Sequence, residues 1–239
     1  MNLHVYENGD EASSAAATDL AHLFAQSTIR NVMVAAGNTP LKLYDKVAEK
    51  RLNLSHLNVF VLDEYLGVPP DEPRNCSNLL FHSVAEAWRI PPAQFHRVTS
   101  VEADALQNIQ AHEEKIARAG GLDVVILGLG QNGHLGFNEP GSAADSTGRI
   151  VPLQPVSVEA NRQWFEGKYA PDKGVTTGLR VVLAARNVFV LAFGSHKAVP
   201  VGAMLHGPQS SGCPASFLQT HPHCDVYLDV AAARNMNSP

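Results

Sequence analysis

A histidine and a glutamate share one glycine-rich stretch: Gly128-Leu129-Gly130-Gln131-Asn132-Gly133-His134, with Glu139 following shortly after. Imidazole changes charge near neutral pH, so it can take and return a proton under physiological conditions. Glu139 can fold back to orient the ring through its second nitrogen. Gly128, Gly130 and Gly133 allow positive φ and a close approach of backbone to ligand. A histidine satisfied by neighbouring backbone is the plainer alternative. The flexible glycine setting and the nearby carboxylate favour acid–base work.

Asp63 and Glu64 directly follow the apolar run Asn58–Leu62. A carboxylate at a strand end can abstract a proton α to a carbonyl if partial burial raises its pKa. Adjacent carboxylates point in different directions, so only one need face a ligand. A helix-capping or salt-bridging pair is the plainer account of the two.

Two turns suit an anion. Gly37-Asn38-Thr39-Pro40 joins an apolar run to a helical pattern, where free N–H groups and the helix dipole favour phosphate. Gly194-Ser195-His196-Lys197 repeats the arrangement, and a lysine in a first helical turn opposes the dipole unless an anion lies nearby. Gly37, Asn38, Thr39, Ser195 and Lys197 are therefore candidate phosphate ligands, against the ordinary alternatives of a capped turn and a solvated lysine. His221-Pro222-His223-Cys224 lacks companions at zinc-site spacing, so it is expected to be a surface turn and no metal is expected. Gly128 to Gly133 spells G-x-G-x-x-G, yet Phe137-Asn138-Glu139-Pro140-Gly141 is loop where a dinucleotide site needs a long helix.

The elements that must position these residues alternate. Strands are expected at Leu3–Tyr6 (an edge), Asn31–Ala36, Asn58–Leu62, Asp123–Leu127, Ile150–Leu153, Val188–Phe193 and Asp225–Val230. Helices are expected at Glu11–Gln26 with Asp10 as cap, from Thr39 as cap and Pro40 to Lys50, and over Ser77–Trp88, Val101–Ala119, Val158–Phe165, Leu179–Ala185 and Ser195–Leu205. Val68–Pro73 and Gly167–Gly174 are expected loops, the second placed to cover a site, and Ala233–Pro239 a polar tail. Strands separated by helices imply an α/β, modified Rossmann-like fold, with a mostly parallel sheet and helices on both faces. No repeat or linker divides residues 1–239, so one domain is expected, with its chemistry at strand carboxyl ends.

Composition narrows the partners. A chain of 239 residues, 45% hydrophobic and 17% charged, suits a globular protein with a substantial core. Its formal charge of −5 gives no basic footprint for nucleic acid. No apolar stretch reaches membrane-spanning length, and no secretory signal is expected. The scattered cysteines Cys76, Cys213 and Cys224 suit thiols in a reducing compartment, so a cytoplasmic location is expected.

In order, Gly37-Asn38-Thr39-Pro40, Leu62-Asp63-Glu64-Tyr65-Leu66-Gly67, Gly128 to Pro140, Gly174-Val175-Thr176-Thr177-Gly178-Leu179 and Gly194-Ser195-His196-Lys197-Ala198 resemble the glucosamine-6-phosphate deaminase/isomerase family. Its wider superfamily includes 6-phosphogluconolactonase, whose members typically carry Asp-Glu-Arg where this chain has Asp63-Glu64-Tyr65. The resemblance implies deaminating isomerisation of an amino-sugar 6-phosphate: galactosamine 6-phosphate to tagatose 6-phosphate, or glucosamine 6-phosphate to fructose 6-phosphate, with release of ammonia and no cofactor. It implies Asp63 as the base between C2 and C1, and His134, oriented by Glu139, as the proton shuttle at the ring oxygen. Phosphate would lie between Gly37–Thr39 and Ser195–Lys197, with Glu64 and the glycines Gly128, Gly130 and Gly133 against the substrate.

Two departures stand out. The family usually has an aspartate where this chain has Asn132, an amide that can accept an imidazole N–H without bringing a full charge. Near Glu159-Ala160-Asn161-Arg162-Gln163 the family places a phosphate-binding arginine; Gln163 falls on it and Arg162 is adjacent. The Asn132-Gly133-His134 variant, with Cys213-Pro214-Ala215-Ser216-Phe217-Leu218, looks most like the galactosamine-6-phosphate deaminase/isomerase branch. The alternatives are a 6-phosphogluconolactonase, in which His134 activates water, and a non-catalytic sugar-phosphate sensor. The expected partner is a small sugar phosphate, bound by a monomer or small homo-oligomer.

Overall fold

The computed structural model describes residues 1–236. In chain order its elements begin β1 (Asn2–Tyr6), α1 (Gly9–Phe24), β2 (Asn31–Val34), α2 (Asn38–Glu49), β3 (Asn58–Val61), β4 (Asp63–Tyr65) and α3 (Cys76–Leu80). They continue with β5 (Phe95–His96), α4 (Glu102–Arg118), β6 (Val124–Gly128), β7 (Arg149–Pro152), α5 (Pro155–Trp164) and β8 (Lys173–Thr176). The last are α6 (Leu179–Leu183), β9 (Asn187–Ala192), α7 (Ala198–His206) and β10 (Cys224–Asp229).

Seven strands form one parallel sheet in the order β1-β10-β9-β6-β2-β3-β5. The central strands are continuous apolar runs because both faces are covered. Alternate residues divide the core. Val32, Val34, Val59, Val61, Val124 and Ile126 pack with Ala16 of α1, Leu43 of α2 and Trp88 on one face. Met33, Phe60, Val125 and Leu127 pack with Val182 of α6 and Val201 of α7 on the other. This is the mostly parallel α/β sheet with helices on both faces that the alternation predicts. Among the described residues, no helix is long and apolar enough to cross a membrane.

The strand order reverses between β2 and β6. From β2 the chain runs outward through β3 to β5; from β6 it runs the other way through β9 to β10. A crevice opens at the carboxyl ends of strands where successive connections diverge in this way. The loop after β2 is the Gly37 turn, and the loop after β6 is the glycine-rich stretch that carries His134.

Several boundaries differ from expectation. Asn8 caps α1 in place of Asp10, its Oδ1 accepting from the Asp10 and Glu11 N–H groups at 3.0 Å. The cap of α2 is Gly37, so Thr39 sits inside the first turn. The segment expected as one helix over Ser77–Trp88 is a short α3 continued by a π-helical turn, Phe81–Glu86. Ser195–Lys197 is a 3₁₀ turn ahead of α7. His221-Pro222-His223 is only partly a surface turn: His221 is buried, and its Nε2 donates to the Ala185 carbonyl at 2.9 Å. The expected tail Ala233–Pro239 begins within a 3₁₀ turn, Ala232–Asn235, and residues 237–239 lie outside the described ones.

The largest departure is a second sheet. Asp63–Tyr65 leaves the parallel sheet and pairs antiparallel with β8, which also pairs with β7. Asp63 lies opposite Thr176 and Tyr65 opposite Gly174. A strand of three residues carries too little periodicity to announce itself in sequence.

Candidate active site

A cavity of about 800 Å³ opens at the β2–β6 divergence. Its wall includes Gly37, Asn38 and Thr39, then Asp63 and Tyr65, then Gly128, Gly130, Gln131 and His134, and finally His196 and Lys197. Arg74, from the Pro-rich loop that joins β4 to α3 and holds Pro69, Pro70 and Pro73, completes the wall with Ser157, Gln163 and Trp164 of α5.

Asp63 is buried at 4% exposure. Loss of water pushes its carboxyl pKa up to about 8; the charge of Glu64 adds to the rise, and a hydrogen bond from the Phe137 backbone partly offsets it. Gly136 makes this approach possible. It adopts φ +59°, and a Cβ there would meet Asp63 Oδ2 at 2.7 Å and Leu62 Cδ2 at 2.6 Å.

Glu64 does not line the cavity, contrary to its expected place against the substrate. Its Oε1 accepts from the Tyr65 N–H at 2.8 Å and the Cys76 N–H at 3.0 Å, and its Oε2 from the Ser77 N–H at 2.7 Å. It is the capping carboxylate of the pair, fastening the start of α3. Burial lifts its pKa to about 7 against the pull of those donors.

His134 presents its ring to the cavity. Its Nδ1 lies 3.2 Å from Glu139 Oε2, so the carboxylate holds the proton on Nδ1 and leaves Nε2 for a ligand. The ring lies over Gly130, where any Cβ would collide with it. Glu139 is buried behind the histidine. Burial alone would raise its pKa, but hydrogen bonds from His134 and Asn132 and the imidazole charge outweigh that and lower it.

Asn132 acts away from the imidazole. Its Nδ2 donates to Glu139 Oε2 at 2.7 Å, and its Oδ1 accepts the His134 backbone N–H at 3.3 Å. The expectation that its amide oxygen receives the ring N–H is therefore corrected: Asn132 and His134 converge on one carboxylate. Gly133 also stays off the cavity wall. Its φ is +81°, it packs against Cys213, and its carbonyl accepts from the Ala215 N–H at 2.9 Å.

The anion-suited end is built from two turns. No side chain caps α2, so the N–H groups of its first turn remain available beside Gly37 at φ +115°. Lys197 Nζ donates to the Leu129 carbonyl at 2.6 Å. Burial lowers its pKa to about 8, and no carboxylate pairs with it among the described residues. Ser195, expected beside it, is exposed and off the wall; His196 lines the cavity instead.

Arg162 faces solvent and pairs with Glu159 at 3.7 Å. Its neighbour Gln163 faces the cavity, as the 100° turn between successive helical residues requires. Sequence reasoning missed Arg74, which lines the cavity from the Pro-rich loop with no local pattern to mark it. It also missed Gly136, flagged only by its place in an already glycine-rich stretch. Among the described residues, no cluster of three or more His, Cys, Asp or Glu could hold a metal ion.

The arrangement can do specific chemistry. A buried carboxyl and an oriented imidazole open into one cavity, beside a dipole end and an ammonium that suit a phosphate. It can move protons on a small phosphorylated molecule.

Residues 7–227 match the model of a family described as glucosamine-6-phosphate isomerases/6-phosphogluconolactonase. The glucosamine-6-phosphate deaminase of Cutibacterium acnes is 38% identical over 241 residues, covering 99% of this chain and 92% of that protein. A solved structure described as a monomeric glucosamine-6-phosphate deaminase superposes with a TM-score of 0.93 at 27% identity, covering 98% of this chain and all of that one. The 6-phosphogluconolactonase of Trypanosoma brucei superposes with a TM-score of 0.79 at 23% identity over 98% of each chain, a likeness of fold.

Proposed function

Because the chain belongs to the glucosamine-6-phosphate isomerase/6-phosphogluconolactonase family, we propose that residues 1–239 form one catalytic domain converting glucosamine 6-phosphate and water into fructose 6-phosphate and ammonia. The observation that carries this is the opening of Asp63 and His134 into one cavity, together with the uncapped start of α2 and Lys197.

His134, held by Glu139, carries a proton to and from the ring oxygen while the sugar opens to its aldehyde. Asp63 in its ionised form takes the proton from C2 and returns it to C1. As the C1 oxygen gains a proton and the C2 amine gives one up, C1 becomes a hydroxymethyl group and C2 an imine, which water hydrolyses to the ketone and ammonia. The α2 start and Lys197 hold the phosphate, fixing C1 and C2 over Asp63. No step calls for a cofactor. The reaction belongs in the cytoplasm, where the free thiols of Cys76, Cys213 and Cys224 stay reduced.

Ammonia release tests the proposal. Wild-type protein is expected to release ammonia from glucosamine 6-phosphate, and Asp63→Asn to lose about 10³-fold or more of that activity while still binding fructose 6-phosphate. Undiminished turnover in Asp63→Asn would remove the carboxylate from the mechanism. A galactosamine 6-phosphate arm decides the epimer. Hydrolysis of 6-phosphogluconolactone without ammonia release would reassign the site.

A further inference from the structure

Apart from Lys197, Arg74 is the only lysine or arginine lining the cavity among the described residues. It comes from the Pro-rich loop between β4 and α3. Its backbone is fixed from α5: the Trp164 indole N–H donates to the Arg74 carbonyl at 3.1 Å. Its guanidinium is engaged by the Trp164 carbonyl and by Glu166, whose Oε1 lies 2.5 Å from Arg74 Nη2. The same guanidinium stands over the Trp164 ring, 5.7 Å from its centroid.

The Glu166 carboxylate is a weakly held occupant. Its side chain is 76% exposed while that of Arg74 is 37% exposed, and exposed ion pairs contribute little. Glu166 also adopts φ +54°, a left-handed backbone that a residue with a Cβ holds at a cost. A phosphate dianion matches the planar fork with two parallel hydrogen bonds and brings more charge than a carboxylate.

We propose that Arg74 binds the substrate phosphate together with Lys197, and that Glu166 is a built-in competitor filling the guanidinium fork until the phosphate arrives. This rests on the cavity accepting a sugar phosphate, as above. It assigns the anion-binding arginine to the Pro-rich loop, in a chain where Arg162 faces solvent and Gln163 faces the cavity. Gln163, Trp164 and Glu166, which also line that side, then become the region that reports whether phosphate is bound.

Calorimetric binding of fructose 6-phosphate and of inorganic phosphate tests the assignment, with ammonia release by the wild type measured separately. Arg74→Ala is expected to weaken both ligands about tenfold or more, and Arg74→Lys to recover only part of the loss. Glu166→Gln is expected to tighten both by about two- to fivefold. The opposite signs separate phosphate binding from loop packing, because a packing role would weaken binding in both variants. Should Arg74→Ala fail to fold, the sign for Glu166→Gln decides. Arg74→Ala within twofold of wild type, Glu166→Gln binding more weakly, or a wild type that binds neither ligand would overturn the assignment. Phosphate binding that follows these signs without ammonia release would leave Arg74 in place and sink the deaminase reading alone.

Discussion

A carboxyl group that keeps its proton to about pH 8 and an ammonium that loses its proton near the same value share this cavity. Their charge requirements run in opposite directions. In the proposed mechanism Asp63 must be ionised to take a proton, so activity is expected to be lost as pH falls through about 8. In the same proposal Lys197 must be protonated to hold phosphate, so binding is expected to be lost as pH rises through about 8. The acid limb belongs to the coupled Asp63–Glu64 pair, in which the three N–H donors to Glu64 favour its ionised form. We expect kcat/KM to trace a bell centred near pH 8, with Lys197→Gln losing the alkaline limb at a raised KM. A profile flat from about pH 6 to pH 9 would show that neither group governs turnover.

At the scale of elements, the short second sheet does more than its size suggests. β4 turns Asp63 out of the parallel sheet, and β8 locks it there opposite Thr176. The loop after β6 then passes so close that only Gly136 fits against the carboxyl. Gly136→Ala combines a clash with Leu62 and Asp63 with backbone strain at φ +59°. It is expected to cost about 1–3 kcal/mol in urea denaturation and to reduce ammonia release more than about tenfold. Gly141→Ala is the control: φ is +103° there, but no atom lies within 4 Å of an added Cβ. That variant should lose stability while retaining turnover. If the two variants retain equal activity, close packing of the loop on Asp63 is irrelevant to catalysis.

Across the whole molecule, the cavity joins parts that the strand order separates. The turn after β2 leads toward β3 and the edge strand β5, whereas the loops after β6 and β9 lead toward β10 and β1. A ligand touching Gly37–Thr39, Gly128–Gly130 and Lys197 ties the two halves of the sheet together. Anything binding the folded state alone stabilises it by mass action. At about a hundred times its Kd, fructose 6-phosphate is expected to add about 2.7 kcal/mol, raising Tm by roughly 5–10 °C for a chain of this size. Scanning calorimetry measures this directly. No shift at saturating concentration would exclude the phosphorylated sugar as a ligand of the native fold.

The sequence by itself determined the layered α/β plan, because apolar runs such as Val124–Leu127 and Val188–Ala192 are local and their burial follows from composition. It also marked Asp63, His134 and Glu139 as residues able to move protons, since residue type and a glycine setting are visible along the chain. Tertiary structure alone decided which way side chains point: Glu64 inward to cap α3, Asn132 onto Glu139, Arg162 to solvent and Gln163 to the cavity. It also brought Arg74 and Trp164 together across some ninety residues and created the β4–β8 pairing. The reason is physical. One residue of shift turns a helical side chain by about 100° and flips a strand residue to the opposite face, so orientation depends on contacts distant in sequence.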